Sequence, residues 1–315
     1  MARRLVTLPG SKASLASLQA NYLPVGGFSK SWETNAGTCA FTNNILSGLK
    51  LKEMYATELD VGTYCLLKVC KENPVGLIRE LRKTEYSMEE YERAEDVLKC
   101  IKTPWDELKI AVAKYVLLRQ SMNGAITSYR DIDKSNDCDL KSWISAQQHR
   151  DRYHRQIIQL AEYSDGLQGL KIIQGDMLKY FDRFAADSDM FIYSDIPYTN
   201  GLRADRLYRE ETDAAWHRKY AKKLAEMTRD GTLKAKMMLC NYVSVNLESD
   251  VYCKELLKEG WTLYFIKDVY RPTVIKQNSK SRKKNKTVEA IFLNYQPLNP
   301  TVGKNRIFTY EDVFG

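Results

Sequence analysis

Asp195-Ile196-Pro197-Tyr198 joins a carboxylate, a main-chain carbonyl, a proline and an aromatic ring at the end of an apolar run, Met190 to Tyr193. These groups have a coherent chemical use together. The Asp195 carboxylate and the Ile196 carbonyl can accept both hydrogens of an exocyclic amine and aim its lone pair for attack. The Tyr198 ring can stack on the base that carries the amine. In isolation the same tetrapeptide reads as an Asp-x-Pro turn at a strand end.

A second group of residues suits a nucleotide-like ligand. Glu33 is followed by Thr34-Asn35-Ala36-Gly37-Thr38-Cys39, an acid and then a turn of small residues before an apolar helix start. A turn this small lets the main chain approach a ligand at the end of a first strand. The next apolar run closes on Glu58, twenty-one positions after Gly37. That is about where a carboxylate accepts hydrogen bonds from ribose hydroxyls. Leu170 to Ile173 closes on Gln174-Gly175-Asp176-Met177. This strand and Met190–Tyr193 are expected to be parallel neighbours that deliver acids at their carboxyl ends, where open α/β sheets bind ligands.

Positioning such groups needs buried strands. Lys52 to Thr57, Leu170 to Ile173, Met190 to Tyr193, Met237 to Leu239, Thr262 to Val269 and Val288 to Leu293 are short apolar runs of that kind, separated by helical patterns. One helix is expected from near Thr212 to before Gly231, with Trp216, Tyr220, Leu224 and Met227 along one stripe. Another is expected to open at Thr103-Pro104 and run towards Gly124. From Lys68 to Tyr163 the patterns are helical, and no strand is expected.

The 315 residues carry a formal net charge of +8, and seven basic residues fall between Arg271 and Lys286 with no acid among them. The last two strands flank this run, so a hairpin with a long basic loop is the economical reading. A second acid-free stretch, Met1 to Trp32, holds Arg3, Arg4, Lys12 and Lys30. Local basic excess on a balanced chain points to a polyanion.

Hydrophobic content of 44% and charged content of 28% exclude global disorder and a coiled coil. No run is long enough for a membrane span, and Met1 to Gly10 lacks the core of a secretory signal, so a cytoplasmic address is expected. Seven scattered cysteines without a Cys-x-x-Cys pair are expected to be reduced and mostly buried. His149 and His154 have no acid at metal-ligand spacing, so no metal is expected. His217, beside Trp216, is expected to pack or orient. Most of the twenty tyrosines are expected in the core or at its rim, though some could stack on bases.

The order of these signals resembles the Dam-like adenine-N6 DNA methyltransferases across almost the whole chain. The resemblance is carried by Pro9-Gly10-Ser11-Lys12, Trp32 to Gly37, Glu58-Leu59-Asp60, Tyr115 to Gly124, Gly175-Asp176, Asp195 to Tyr198, and Glu289 to Tyr295. It implies a mostly parallel, Rossmann-like α/β methyltransferase sheet in residues 1–67 and 166–315, with a helical target-recognition insertion in 68–165. It implies S-adenosylmethionine as cofactor, with Lys12, Glu33, Ala36, Gly37, Glu58 and Asp176 at cofactor positions. By the same resemblance, Glu58 is expected towards the ribose and Asp176 towards the adenine amine. It implies Asp195, Ile196, Pro197 and Tyr198 as the catalytic tetrapeptide and double-stranded DNA as partner. Contacts to DNA are expected from Asn123 and from Lys280, Arg282, Lys283, Lys284 and Lys286.

The chain departs from the family pattern twice. Ile196 stands where the first proline of the catalytic motif is usual, and Cys39 replaces the second glycine of the first motif. A nucleic-acid-binding protein that keeps the fold without turnover is therefore the rival reading.

Overall fold

The computed structural model describes residue 5 and residues 15–122, 125–129, 140–197, 214–244, 246–270, 286–300 and 306–315. In chain order the strands are β1 (Lys30–Glu33), β2 (Glu53–Glu58), β3 (Ser121–Met122), β4 (Ala125–Tyr129), β5 (Leu170–Gln174), β6 (Met190–Asp195), β7 (Lys236–Ser244), β8 (Thr262–Tyr270), β9 (Lys286–Leu293) and β10 (Ile307–Phe308). The helices of eight or more residues are α1 (Val61–Glu72), α2 (Pro74–Leu81), α3 (Met88–Lys99), α4 (Glu107–Gln120), α5 (Leu140–Ile158), α6 (Leu178–Ala185) and α7 (Ala214–Arg229). All six apolar runs are strands. The chain is a mixed α/β protein with mostly parallel, Rossmann-like strands.

It divides into two compact units. The first comprises Met1–Ala16 and Ala36–Met177, the second Ser17–Asn35 and Leu178–Gly315. In the first, β2 and β5 pair in parallel, with Glu58 opposite Gln174. Helix α1 packs against α4 and along β5. Asp60 caps α1, its Oδ1 accepting from the Thr63 N–H at 2.6 Å. Helix α4 is buried on nearly every side, and even Lys114 is 3% exposed.

In the second unit the strand order is β10-β8-β9-β7-β6-β1. β6 is parallel to β1 and β7, whereas β9 runs against both β7 and β8. Only β9 and β10 oppose the common direction. Trp32 is fully buried, with its ring centroid 5.8 Å from Phe181 and 4.6 Å from Phe184 on α6. The face of β1 that carries it is thereby fixed against that helix.

Four expectations change. β5 pairs with β2, and β6 pairs with β1 and β7, so β5 and β6 are not the neighbouring strands anticipated. Strand order is a long-range property that local apolar patterns do not encode. The stretch from Lys68 to Tyr163 is not wholly helical, because β3 and β4 form an antiparallel pair with an irregular register between Ser121 and Met122. α4 does not open at Thr103-Pro104: its cap is Asp106, whose Oδ1 accepts from the Lys109 N–H at 3.0 Å. It also ends at Gln120 rather than at Gly124, since the chain turns extended at Ser121.

The expected α7 is present, ending at Arg229 just before Gly231, which has φ 68°. The expected hairpin is present as β8 and β9, with Tyr270 opposite Lys286. Among the described residues no helix is long and apolar enough to cross a membrane.

Candidate functional site

The first unit gathers Ala36, Gly37, Glu58 and Asp176 around the ends of β2 and β5. The Ala36 N–H donates to the Thr57 carbonyl at 3.0 Å, which extends the strand-like pairing into the small turn. The Gly37 N–H then donates to Glu58 Oε2 at 2.7 Å. The Asp60 N–H donates to Glu58 Oε1 at 3.0 Å. From the other side, the Gly175 N–H donates to the Glu58 carbonyl at 2.9 Å, setting half-buried Asp176 one residue beyond.

Glycine is needed twice here: Gly37 has φ 51° and Gly175 has φ 144°, regions that side chains disfavour. Each Glu58 oxygen thus takes one main-chain hydrogen and keeps acceptor capacity for a ligand.

Charge around Glu58 is finely balanced. Burial, and next the neighbouring Asp60 carboxylate, push its pKa up to about 7, against the pull of the two N–H donors and of Lys114. Burial also pushes Asp60 upward, but Lys114 and Thr63 outweigh it and hold Asp60 below the usual carboxylate range. The Lys114 ammonium lies 2.7 Å from Asp60 Oδ1. Neither Asp60 nor Lys114 was singled out by sequence for this charge balance. Their spacing of 54 positions hides it, because only the packing of α1 on α4 brings them together.

The second unit holds the other group. Asp195 ends β6 opposite Cys240 and is half-buried, Ile196 is 2% exposed, and Pro197 is half-buried. Beneath them runs a chain of hydroxyls that the sequence did not reveal. Thr34 Oγ1 lies 2.8 Å from Asn35 Oδ1 and 3.0 Å from Ser194 Oγ, and Ser194 Oγ lies 3.3 Å from the Tyr220 hydroxyl.

The single Thr34 hydroxyl hydrogen donates to Asn35 Oδ1 or to Ser194 Oγ, and either hydroxyl of the Ser194–Tyr220 pair can donate. The Thr34 N–H also donates to the Tyr193 carbonyl at 3.0 Å, so the ends of β1 and β6 are tied by main chain and side chain. Glu33, 3% exposed, is the last residue of β1, opposite Tyr193. It belongs to this second unit.

His217 has the packing role expected of it: it is 1% exposed, with Nδ1 2.7 Å from the Tyr252 hydroxyl. Asn294 pins the start of β7, its Oδ1 accepting from the Met237 N–H at 2.7 Å and its Nδ2 donating to the Ala235 carbonyl at 2.9 Å. Lys12, Asn123, Tyr198, Lys280, Arg282, Lys283 and Lys284 lie outside the described residues, as does the Lys286 side chain. Cys39, Cys65, Cys70, Cys240 and Cys253 are buried thiols and Cys100 is exposed; Cys138 lies outside the described residues.

Among the described residues no cluster of three or more His, Cys, Asp or Glu gathers at metal-binding geometry. An open groove of about 640 Å³ on α6 and α7, lined by Lys219, Lys222 and Lys223 with Asp182 and Glu226, coincides with neither strand-end group. Its lysines are partly neutralised, with Lys223 lying 2.6 Å from Asp182.

No protein-family model and no curated protein matches the chain. Among solved structures, it is similar to the rRNA methyltransferase aviRa from Streptomyces viridochromogenes, at 12% identity over 94% of this chain and 87% of that one, with a TM-score of 0.28. A score that low transfers neither fold nor function.

Proposed function

We propose that the protein is an S-adenosylmethionine-dependent methyltransferase that methylates adenine N6 in DNA. The observation that carries this reading is the Glu58 carboxylate at the end of β2, gripped by the Gly37 N–H of a small-residue turn at 2.7 Å. It is a carboxylate held in place by main chain, with acceptor capacity left for vicinal hydroxyls. Ala36 and Gly37 are the small residues of that turn, and Asp176 follows the neighbouring strand. These residues fit an adenosine-bearing cofactor, which when bound supplies a methyl group on a sulfonium.

The remaining work falls to the second unit. Asp195 and the Ile196 carbonyl accept the two hydrogens of the target amine, orienting its lone pair, and the hydroxyl chain through Ser194 keeps that strand end still. Alignment and exclusion of water supply the rate, with no strong base required. The choice of adenine in DNA rests on the Asp195 to Tyr198 motif and the basic run between β8 and β9.

Calorimetry with S-adenosylmethionine, followed by transfer of a radiolabelled methyl group to DNA, RNA and protein acceptors, tests the reading. Incorporation into DNA at adenine is expected. No binding by the wild type at millimolar ligand removes the cofactor assignment, and incorporation only into RNA or protein removes the DNA assignment.

The rival, a binder without turnover, is favoured by Cys39, which holds φ 49° and ψ 39° where the family pattern has glycine. It predicts DNA binding with no methyl incorporation.

A further inference from the structure

Lys114 is an unusual residue for its setting. It sits mid-way along α4, a helix buried almost all round, and its side chain is 4% exposed. Burying an ammonium is costly without a partner. The partner is Asp60, whose Oδ1 lies 2.7 Å from Nζ while also accepting from the Thr63 N–H and hydroxyl. The stem of the lysine passes Gly62 so closely that a Cβ there would stand 2.9 Å from Lys114 Cδ. Glycine at this first turn of α1 is therefore what lets the ammonium reach Asp60.

Asp60 in turn is bound to Glu58, since its N–H donates to Glu58 Oε1 at 3.0 Å. Two carboxylates two residues apart resist ionising together, and a cation on one of them relieves the other. Among the described residues, the charged groups acting on Glu58 are Asp60 on its own loop and Lys114 from α4, and the turn contributes the Gly37 N–H.

We infer that Lys114 is a positioning residue for Glu58: by neutralising Asp60 it lets the Glu58 carboxylate carry its charge and accept a ligand's hydroxyls. The helical segment thus takes part in preparing the strand-end site, although it touches Glu58 only through Asp60. The inference rests on reading Glu58 as the ligand's hydroxyl acceptor.

Carbon-13 titration of the Glu58 carboxyl, assigned with Glu58→Gln, tests it without any ligand. Lys114→Met should move the midpoint alkaline by about one pH unit, and weaken S-adenosylmethionine binding about tenfold below that midpoint. Lys114→Arg should restore both. Asp60→Asn should move the midpoint acid, and the double variant Lys114→Met/Asp60→Asn should titrate no higher than wild type.

A natively folded Lys114→Met protein with an unmoved midpoint overturns the inference. Should Lys114→Met fail to fold, Asp60→Asn leaving the midpoint unchanged overturns it equally. Wild type that titrates as expected yet binds no S-adenosylmethionine overturns the cofactor reading and leaves the Lys114–Asp60–Glu58 coupling standing.

Discussion

Glu58 and Asp195 both close a parallel strand with a carboxylate, and the two strand ends are supported in different ways. Glu58 is held by main-chain donors, at 2.7 Å from Gly37 and 3.0 Å from Asp60, and its charge is left to the balance between Asp60 and Lys114. The strand end at Asp195 is steadied from the residue before it, by hydroxyls that carry no charge. Main-chain clamps fix position and leave protonation open; a hydroxyl chain fixes position and leaves charge alone. The first arrangement suits binding that responds to pH, the second an alignment that holds at any neutral pH.

The sharpest break between the two regions is expected at Asp195. Asp195→Ala should lower single-turnover methyl transfer on the order of 10²–10³-fold, because an acceptor aimed at the reacting amine acts chiefly in the transition state. Cofactor affinity measured by calorimetry should stay within about twofold, since the interaction lost is one the ground state hardly uses. Near-normal chemistry in this variant would move the reaction centre elsewhere.

Glu58→Ala should show the opposite pattern. Losing hydrogen bonds to a charged acceptor costs about 1.5–3 kcal/mol, or roughly 10- to 150-fold in cofactor affinity. The transfer rate at saturating cofactor should change little. Equal losses in affinity and rate would mean that Glu58 orients the methyl donor as well as holding it.

The difference in charge control has its own signature. Burial and the neighbouring Asp60 carboxylate push Glu58 from its ordinary 4.5 up to about 7, so the folded state keeps a proton that the unfolded chain has released. Its contribution to stability is therefore full below about 4.5 and is lost as pH rises from there to about 7. Asp60 has the opposite sign: its pKa is lowered, so its contribution is present above its ordinary value and is lost as pH falls through the depressed one.

Affinity for an adenosine ligand should run the other way from the Glu58 stability term. It should rise about tenfold per pH unit up to 7 and level off above it, because only the carboxylate accepts both hydroxyls. Calorimetry from pH 5.5 to 8.5 reads this directly. A flat profile would separate Glu58 from the ligand.

Ser194→Ala probes the other support. It removes the hydroxyl to which both Thr34 and Tyr220 bond, in a site where Ser194 is fully buried, so a loss of about 1–3 kcal/mol in unfolding free energy is expected. A lower transfer rate with unchanged cofactor affinity should accompany it. Tyr220→Phe removes only the outer link and should cost less in the same denaturant titration.

Much of this molecule could be read from local sequence. Sheet strands here are short, nearly continuous apolar runs whether parallel or antiparallel, which is why β2, β5, β6, β7, β8 and β9 are all legible and why Glu58 and Asp195 fall at strand ends as expected. β1 was harder, since Lys30-Ser31-Trp32-Glu33 has one large apolar side chain and becomes a strand through its pairing with β6. Strand order, the Asp60 to Lys114 ion pair and the hydroxyl chain from Thr34 through Ser194 to Tyr220 depend on contacts between distant segments. No periodicity announces them. The cap of α4 was misplaced because Thr103-Pro104 and Asp106 are both acceptable starts, and the hydrogen bond to Lys109 selects the second.

The smallest expected effect lies at Cys39. Cys39 is fully buried and left-handed, with φ 49° and ψ 39°. A side chain in that region costs roughly 1–2 kcal/mol. Cys39→Gly removes this strain but adds unfolded-state freedom worth about 0.5–1 kcal/mol and gives up the buried thiol. The terms nearly offset, so its net change in stability should stay within about 1 kcal/mol.

Cys39→Ala separates them, because alanine keeps the Cβ and the strain while losing the sulfur. If strain is stored at this turn, the glycine variant should be at least as stable as the alanine variant in denaturant titrations. Alanine proving the more stable would show that the turn tolerates a side chain at no cost. Cofactor affinity measured on the same pair decides a further point. Tighter binding in both variants means the sulfur itself crowds the turn. Tighter binding in glycine alone means that a side chain at position 39 holds the turn's main chain away from the ligand.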